Sequence, residues 1–306
     1  MKAIDLFSGC GGFSAGARIA GIEVIWAANH WPVAVEWYAR NHPNATTLCQ
    51  DLQQADWQQV PQHDILLAAP CCQGHSKARG KSANNPQHDA SRSTAWAVVS
   101  ALEFHQPAVS VVENVPEFIE WSLYPAWAMA VQALGYQIAP HVIDAADYGA
   151  PQNRVRLFLV LTKSRAPLFL NLRRERDIPA SSFLDLEGGN WQPINKPGRA
   201  KATLERVENG RRQYGDVFLM PYYGNGSGKT GRSIHRPIGT ITTRDRWAIV
   251  RGNEMRMINR FECRAGMSYT ESFLIPENHK LAVHMLGNSI CPVPVSRVLE
   301  EIKVAA

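Results

Sequence analysis

The sequence predicts a doubly wound α/β domain with a smaller, irregular second domain, and three observations predict it. Short runs that are apolar on both faces recur through the first half, as buried parallel strands do. Helical stretches alternate with them, the order that winds helices onto both faces of a parallel sheet. From about residue 166 the chain turns rich in Gly, Pro and Arg and loses helical periodicity.

Taken in order, residues 3–7, 24–28, 65–69 and 109–112 read as strands. Residues 13–20, 32–41, 91–105 and 124–134 read as the helices between and after them. Two further runs, 137–143 and 155–161, read as strands at the end of the same sheet. Gly188-Gly189, Lys196-Pro197-Gly198 and the stretch 224–228 mark loops of the second domain. The tail from residue 282 regains regular structure and ends in a helix over 294–303.

At 306 residues, 45% hydrophobic and 19% charged, the chain has ample length for a buried core. That composition excludes disordered, collagen-like and coiled-coil chains. No apolar run approaches the roughly 20 residues that span a bilayer. The start, Met1-Lys2-Ala3-Ile4-Asp5, argues against a signal peptide. Six cysteines, none in C-x-x-C spacing, are too sparse for a disulfide scaffold and argue against a zinc site. A reducing cytosol fits best.

The net charge of +5 hides an asymmetry. Residues 151–260 hold 21 Lys and Arg against 9 Asp and Glu, a balance of +12. The remainder holds 11 against 18, a balance of −7. A basic block on an acidic body points to a polyanion, with nucleic acid as the leading candidate.

The candidate chemistry sits at the expected strand ends. The first strand runs into Asp5-Leu6-Phe7-Ser8-Gly9-Cys10-Gly11-Gly12. Glycines at a strand-to-helix turn let backbone approach a ligand and leave helix N–H groups facing it. The spacing differs from G-x-G-x-x-G, which disfavours a dinucleotide and hence a nicotinamide oxidoreductase. Asn29-His30-Trp31 follows the second strand, and Trp31 is placed to stack on an adenine. Asp51-Leu52 falls where a third strand ends, with Asp51 placed to accept from an adenine amino group. The fourth strand runs into Pro70-Cys71-Cys72-Gln73-Gly74-His75-Ser76, a cysteine setting suited to a nucleophile. The polar stretch 77–91 then reads as a long loop able to close over a substrate. Glu113-Asn114-Val115 ends the fifth strand, and burial is expected to suit Glu113 to proton donation. Arg154 and Arg156 alternate and are expected to point to one face.

This ordered set resembles the DNA (cytosine-5) methyltransferase family over nearly the whole chain. Residues 5–12, Pro70-Cys71-Cys72-Gln73-Gly74, Glu113-Asn114-Val115, Gln152-Asn153-Arg154-Val155-Arg156 and Gly287-Asn288-Ser289 carry the likeness. The resemblance implies an S-adenosylmethionine-dependent, Rossmann-like catalytic domain. It implies that Cys72 adds to C6 of cytosine, so that C5 attacks the sulfonium methyl of S-adenosyl-L-methionine. Cys71 stands where the family usually has a second proline, and Cys72 is chosen because it directly precedes Gln73-Gly74. Glu113 matches the residue at N3, Arg156 the residue at O2, and Arg154 supports the same site. Such chemistry requires the base to be flipped out. Gln73 and Ser76 are then expected near the target backbone.

For the cofactor, Phe7, Gly9, Gly11 and Gly12 match the first motif, and Trp31, Asp51 and Leu52 the adenine contacts. His30 stands where the family commonly has a glutamate on the ribose. Asn288 and Ser289 match a late motif that returns to the cofactor pocket. The resemblance divides the chain into a catalytic domain (1–165), a basic target recognition domain (166–262) and a segment returning to the first (263–306). Arg232 and Thr242 are the expected substrate contacts, with the 224–228 stretch as a base-reading loop. The implied partner is double-stranded DNA, with no membrane and no metal. A cognate restriction endonuclease remains open. The expected state is a monomer in a bacterial or phage-encoded, cytoplasmic setting. A transfer RNA cytosine-5 methyltransferase and a catalytically inactive DNA-binding relative are the alternatives.

Overall fold

The computed structural model describes residues 1–71, 86–222 and 230–305. Cys72, Gln73, Ser76 and the 224–228 stretch lie outside the described residues. The chain divides into two compact units. Met1–Asp144, Val155–Arg173 and Pro294–Ala306 form the first, and Ala145–Arg154 with Arg174–Val293 the second.

In the first unit, β1 (Lys2–Leu6), β2 (Glu23–Asn29), β3 (Thr46–Cys49), β4 (Ile65–Ala68), β5 (Val109–Asn114), β6 (Gln137–Asp144) and β7 (Val155–Thr162) form one sheet. Its order is β3-β2-β1-β4-β5-β7-β6. Strands β3 through β5 are parallel, and β7 runs antiparallel to both β5 and β6. The chain steps outward from β1 to β3, then returns to β4 on the other side of β1. Folds of this kind bind ligands at the carboxyl ends of the strands beside that reversal. Pro140 is tolerated in β6 because β6 is an edge strand.

Four helices follow strands: α1 (Gly12–Ile19), α2 (Pro32–Asn41), α3 (Pro86–His105) and α4 (Tyr124–Ala133). Ile4, Leu6, Leu66, Ala68 and Val112 share one core with Val98 and Leu102 of α3 and with Trp127 and Val131 of α4. Trp127 is fully buried, and its indole N–H donates to the Ala95 carbonyl at 2.9 Å. Alternate strand residues face the other way. There Asp5 meets Ser14 of α1, and Phe158 meets Phe13 edge-on with centroids 6.3 Å apart. Two boundaries differ from expectation. Helix α3 begins at Pro86, inside the stretch read as loop, because proline suits a first helical turn. Strand β5 extends through Asn114, so Glu113 lies within the sheet.

The second unit is more regular than its composition suggested. It holds α5 (Lys201–Tyr214) and an antiparallel sheet of β8 (Gln192–Pro193), β9 (Val217–Pro221), β10 (Trp247–Arg251) and β11 (Glu254–Met257), ordered β8-β11-β10-β9. Ile194, Val207, Phe218, Met220, Ala248, Val250 and Met255 fill its core. Two shorter helices follow, α6 (Arg260–Gly266) and α7 (His279–Gly287), before the last helix α8 (Pro292–Ala305). A capping box starts α6: Asn259 accepts from the N–H of Glu262, and Glu262 accepts from the N–H of Asn259. The Glu262 carboxylate also holds Arg256 at 2.7 Å, both side chains 3% exposed. Residues 263–293 cluster with the second unit, where Gln152 bonds Gly266 and Arg154 bonds Gly287 and Ser289, whereas the sequence division had them returning to the first. The return itself is made by α8 from Pro294 onward, and Lys303 donates to the Ala20 carbonyl at 2.7 Å.

Candidate active site

The cofactor-type loop follows β1. Phe7, Gly9 and Gly11 all have positive φ, at 60°, 54° and 97°. For a bulky residue such as Phe7 that conformation is strained, and strain of this kind gathers at ligand sites. Gly11 tolerates no side chain: a Cβ there falls 2.4 Å from Nε2 of His42. Beside Gly9 the same position opens onto free space.

Asp5 fixes where α1 begins. Its buried carboxylate accepts the Ser14 hydroxyl at 2.6 Å and the Ser14 backbone N–H. The Ser14 hydroxyl also lies 2.6 Å from the Tyr38 hydroxyl on α2. Burial raises the Asp5 pKa to about 7, and the Ser14 bonds only partly offset it. The next layer is His42, whose burial lowers its pKa to about 4. With Ser14 committed to Asp5, Gly12 and Phe13 supply the first-turn N–H groups that lack an intrahelical acceptor.

At the end of β2, His30 is exposed and Trp31 half-buried. The Trp31 N–H donates to Oδ1 of Asn29 at 2.9 Å, which sets the turn into α2. Asp51 follows β3 by two residues and caps a short 3-10 turn, Oδ1 accepting from Gln53 at 3.0 Å. The Leu52 side chain points away from solvent. It is buried in the main core, because the 3-10 turn directs it inward under the sheet edge.

At the ends of β5 and β7 lies an ion pair. Nε of Arg156, at the start of β7, lies 3.1 Å from Oε1 of Glu113 near the end of β5. Glu113 is 7% exposed. Burial disfavours charge on Glu113 while the guanidinium favours it, a second influence beyond the burial that the sequence suggested. Next to Glu113, the Asn114 amide donates to the Pro70 carbonyl at 3.0 Å, so β5 holds the chain where β4 ends. Cys71 is half-buried at that place, and Cys72 follows it.

Arg154 does something other than expected. The strand β7 starts at Val155, so strand alternation does not reach Arg154. Its guanidinium is buried and donates to the carbonyls of Ile241, Gly287 and Ser289 at 3.0, 2.9 and 2.7 Å. Those bonds lie wholly within the second unit. Gln152, which sequence reasoning quoted but gave no role, is fully buried beside it. Its Oε1 accepts from the N–H of Ile241 at 2.7 Å, and its Nε2 donates to Gly266 at 3.0 Å. An amide that must donate and accept in opposite directions is the signal for such a hub, and only packing reveals it.

The other expected contacts also fall in the second unit. Ser289 is buried, its hydroxyl bonded to Tyr269, while Asn288 is exposed at the end of α7. Gly287 packs against backbone: a Cβ there falls 2.3 Å from the Thr242 carbonyl carbon and the Thr243 nitrogen. Thr242 is half-buried and donates to the Arg244 carbonyl at 3.2 Å. The Arg232 guanidinium is engaged by the Pro237 carbonyl at 2.6 Å and by the Asn153 side chain. It anchors the loop that carries it. Among the described residues, no group of three or more His, Cys, Asp or Glu is arranged to hold a metal, and no helix is long and apolar enough to cross a membrane.

Comparison with known proteins fits this geometry. A Type II methyltransferase, M.MspI of Moraxella sp, is 26% identical over 311 residues, covering all of this chain and 71% of the relative. M.NlaX of Neisseria lactamica, also a Type II methyltransferase, is 27% identical over 327 residues, covering all of this chain and 97% of the relative. A solved structure assigned as a prophage-encoded DNA modification methyltransferase from E. coli shares the fold, with TM-score 0.72, 20% identity and 99% of both chains covered. The sequence model of the family described as C-5 cytosine-specific DNA methylase matches residues 1–304. The chain therefore belongs to the C-5 cytosine-specific DNA methylase family, the DNA (cytosine-5)-methyltransferases.

Proposed function

We propose that this enzyme methylates C5 of a flipped-out cytosine within a specific double-stranded DNA sequence, through a covalent bond between Cys72 and C6. The observation that carries the reading is the Glu113–Arg156 pair at 3.1 Å, one strand away from the Pro70-Cys71 turn that leads to Cys72. A protonated carboxyl, donating to N3, and a guanidinium, donating to O2, together match the acceptor edge of a cytosine. The carboxyl hydrogen-bonds N3 and the guanidinium donates to O2, so electron density leaves C6 as the Cys72 thiolate adds there. Loss of the C5 proton and elimination of Cys72 complete the turnover.

The residues after β1, β2 and β3 fit S-adenosyl-L-methionine. Open space at Gly9, the N–H groups of Gly12 and Phe13, half-buried Trp31 and exposed Asp51 match its polar and aromatic parts. When bound, this cofactor supplies the methyl group. Phe7 and Gly11 shape the loop that receives it, and His30 offers an imidazole N–H where an acidic residue is usual. Asn288 and Ser289 are assigned to the cofactor on the family resemblance alone.

The basic interval 151–260 suits the DNA backbone, in a target recognition role for the second unit. Gln73 and Ser76 are assigned to the DNA around the flipped base. A cytoplasmic site of action fits these partners. The test is a duplex carrying 5-fluorocytosine, whose fluorine blocks elimination. Wild type is expected to form a stable protein–DNA adduct and Cys72→Ala none. Labelled cofactor offered with DNA and with RNA decides between nucleic acids: transfer to RNA alone would overturn the DNA reading.

A further inference from the structure

The three residues after β4 are each fastened by a different element. The Ala69 N–H donates to the Leu6 carbonyl at 3.0 Å, at the end of β1. The Pro70 carbonyl accepts from Asn114 of β5 at 3.0 Å. The Cys71 N–H donates to Oγ1 of Thr94 on α3, also at 3.0 Å. Neither of the first two bonds depends on which residue stands at position 71. The third requires an amide hydrogen at position 71, which a proline lacks.

Position 71 is where this chain departs from the family pattern, a cysteine standing in for the second proline. A proline ring holds φ near about −65° and so limits the paths the next residue takes. Cysteine has no such restraint. The hydrogen bond to Thr94 supplies one from outside the chain segment. Its acceptor sits on a firm platform, since three successive residues of α3 are tied to separate elements. Ser93 donates to Gln53 at 2.8 Å, Thr94 accepts from Cys71, and the Ala95 carbonyl accepts from the buried Trp127 at 2.9 Å.

We propose that Thr94 is a positioning residue for the methyl-transfer reaction. Through the Cys71 N–H it takes over the backbone restraint of a proline at the residue directly before Cys72. The inference rests on the reading of Cys72 as nucleophile. Misplacement of a reacting group by about 1 Å costs up to roughly a hundredfold in rate, so a tether one residue away acts on kcat. The neighbour of Thr94, Ser93, bonds Gln53, two residues from Asp51, so the KM for S-adenosylmethionine is read beside kcat to separate an effect on the nucleophile turn from one on the cofactor side.

The experiment is a cycle on full-length protein, scored by kcat, KM for S-adenosylmethionine and the rate of adduct formation with 5-fluorocytosine duplex. Thr94→Val is expected to lower kcat and the adduct rate roughly tenfold or more, with KM changed far less and the melting temperature lowered by only a few degrees as the Cys71 N–H loses its acceptor. Thr94→Ser keeps the acceptor and is expected to keep the rate. In a Cys71→Pro background, which has no N–H to tether, Thr94→Val is expected to have no further effect. Full kcat in Thr94→Val, or an equal loss in both backgrounds, overturns the proposal. Should Cys71→Pro not fold, the Ser and Val variants still decide it, and a Ser variant as slow as Val overturns it. A wild type that turns over without any adduct overturns the nucleophile reading itself, and is thereby told apart from a failure of the tether.

Discussion

Replacing Arg154 separates the two roles that can be assigned to it. The sequence motif casts it as a support for the substrate; the structure has it holding the carbonyls of Ile241, Gly287 and Ser289 together at 2.7–3.0 Å. In Arg154→Met the buried charge disappears, and with it the cost of keeping that charge from water. Three buried carbonyls lose their donor, at about 1–3 kcal/mol each. The sum spans about 3–9 kcal/mol, and water entering beside exposed Asn288 favours the lower end. About 3–4 kcal/mol is a large part of the 5–15 kcal/mol typical of folded proteins. At about 2–4 °C per kcal/mol for a chain of this size class, the melting temperature falls by roughly 10 °C. Thermal unfolding followed by circular dichroism measures it, with Arg154→Lys expected between wild type and Met because one ammonium cannot reach three carbonyls in a fork. The reasoning is refuted if Arg154→Met melts within about 2 °C of wild type while methyl transfer is lost, since that pattern belongs to a residue acting on substrate.

Asp5 gives a prediction in pH. Its pKa of about 7 in the folded protein exceeds the ordinary 3.8, so the native state holds a proton that the unfolded chain has released. Stability contributed by this group is therefore full below pH 4 and declines as pH rises to 7, by up to about 4 kcal/mol. His42 and His105, each lowered to about 4 by burial, act in the opposite sense between pH 4 and 6.5. The comparison that isolates Asp5 is urea unfolding of wild type and Asp5→Asn across pH 4–8; parallel profiles would sink the idea. Glu113→Gln is expected to lower methyl transfer about 10²–10⁴-fold with cofactor affinity retained, measured by single-turnover kinetics and calorimetry. Gly287→Ala drives a methyl group into the Thr242–Thr243 backbone, and a loss of at least about 1–3 kcal/mol should appear in chemical denaturation. Binding to duplex DNA should weaken steeply with salt, and a flat salt dependence would remove the basic segment from the contact surface.

The sequence by itself determined the sheet of the first unit and the residues at its carboxyl end. Buried parallel strands must be apolar on both faces, so β1, β2, β4 and β5 stand out, and glycines, a cysteine and a carboxylate at their ends are conspicuous against that background. It said less about the second unit. Helix α5 buries only Thr203, Val207 and Gly210 along a surface otherwise charged, too thin a stripe to read against so many Arg and Glu. It said nothing of the packing partners of Arg154, Arg232 and Leu52. Which way a side chain faces there depends on bonds to residues up to 135 positions away, such as Arg154 to Ser289. Residue type and local spacing carry strand and turn; the partners of a buried guanidinium or amide are decided only when distant backbone carbonyls are brought within about 3 Å of it by folding.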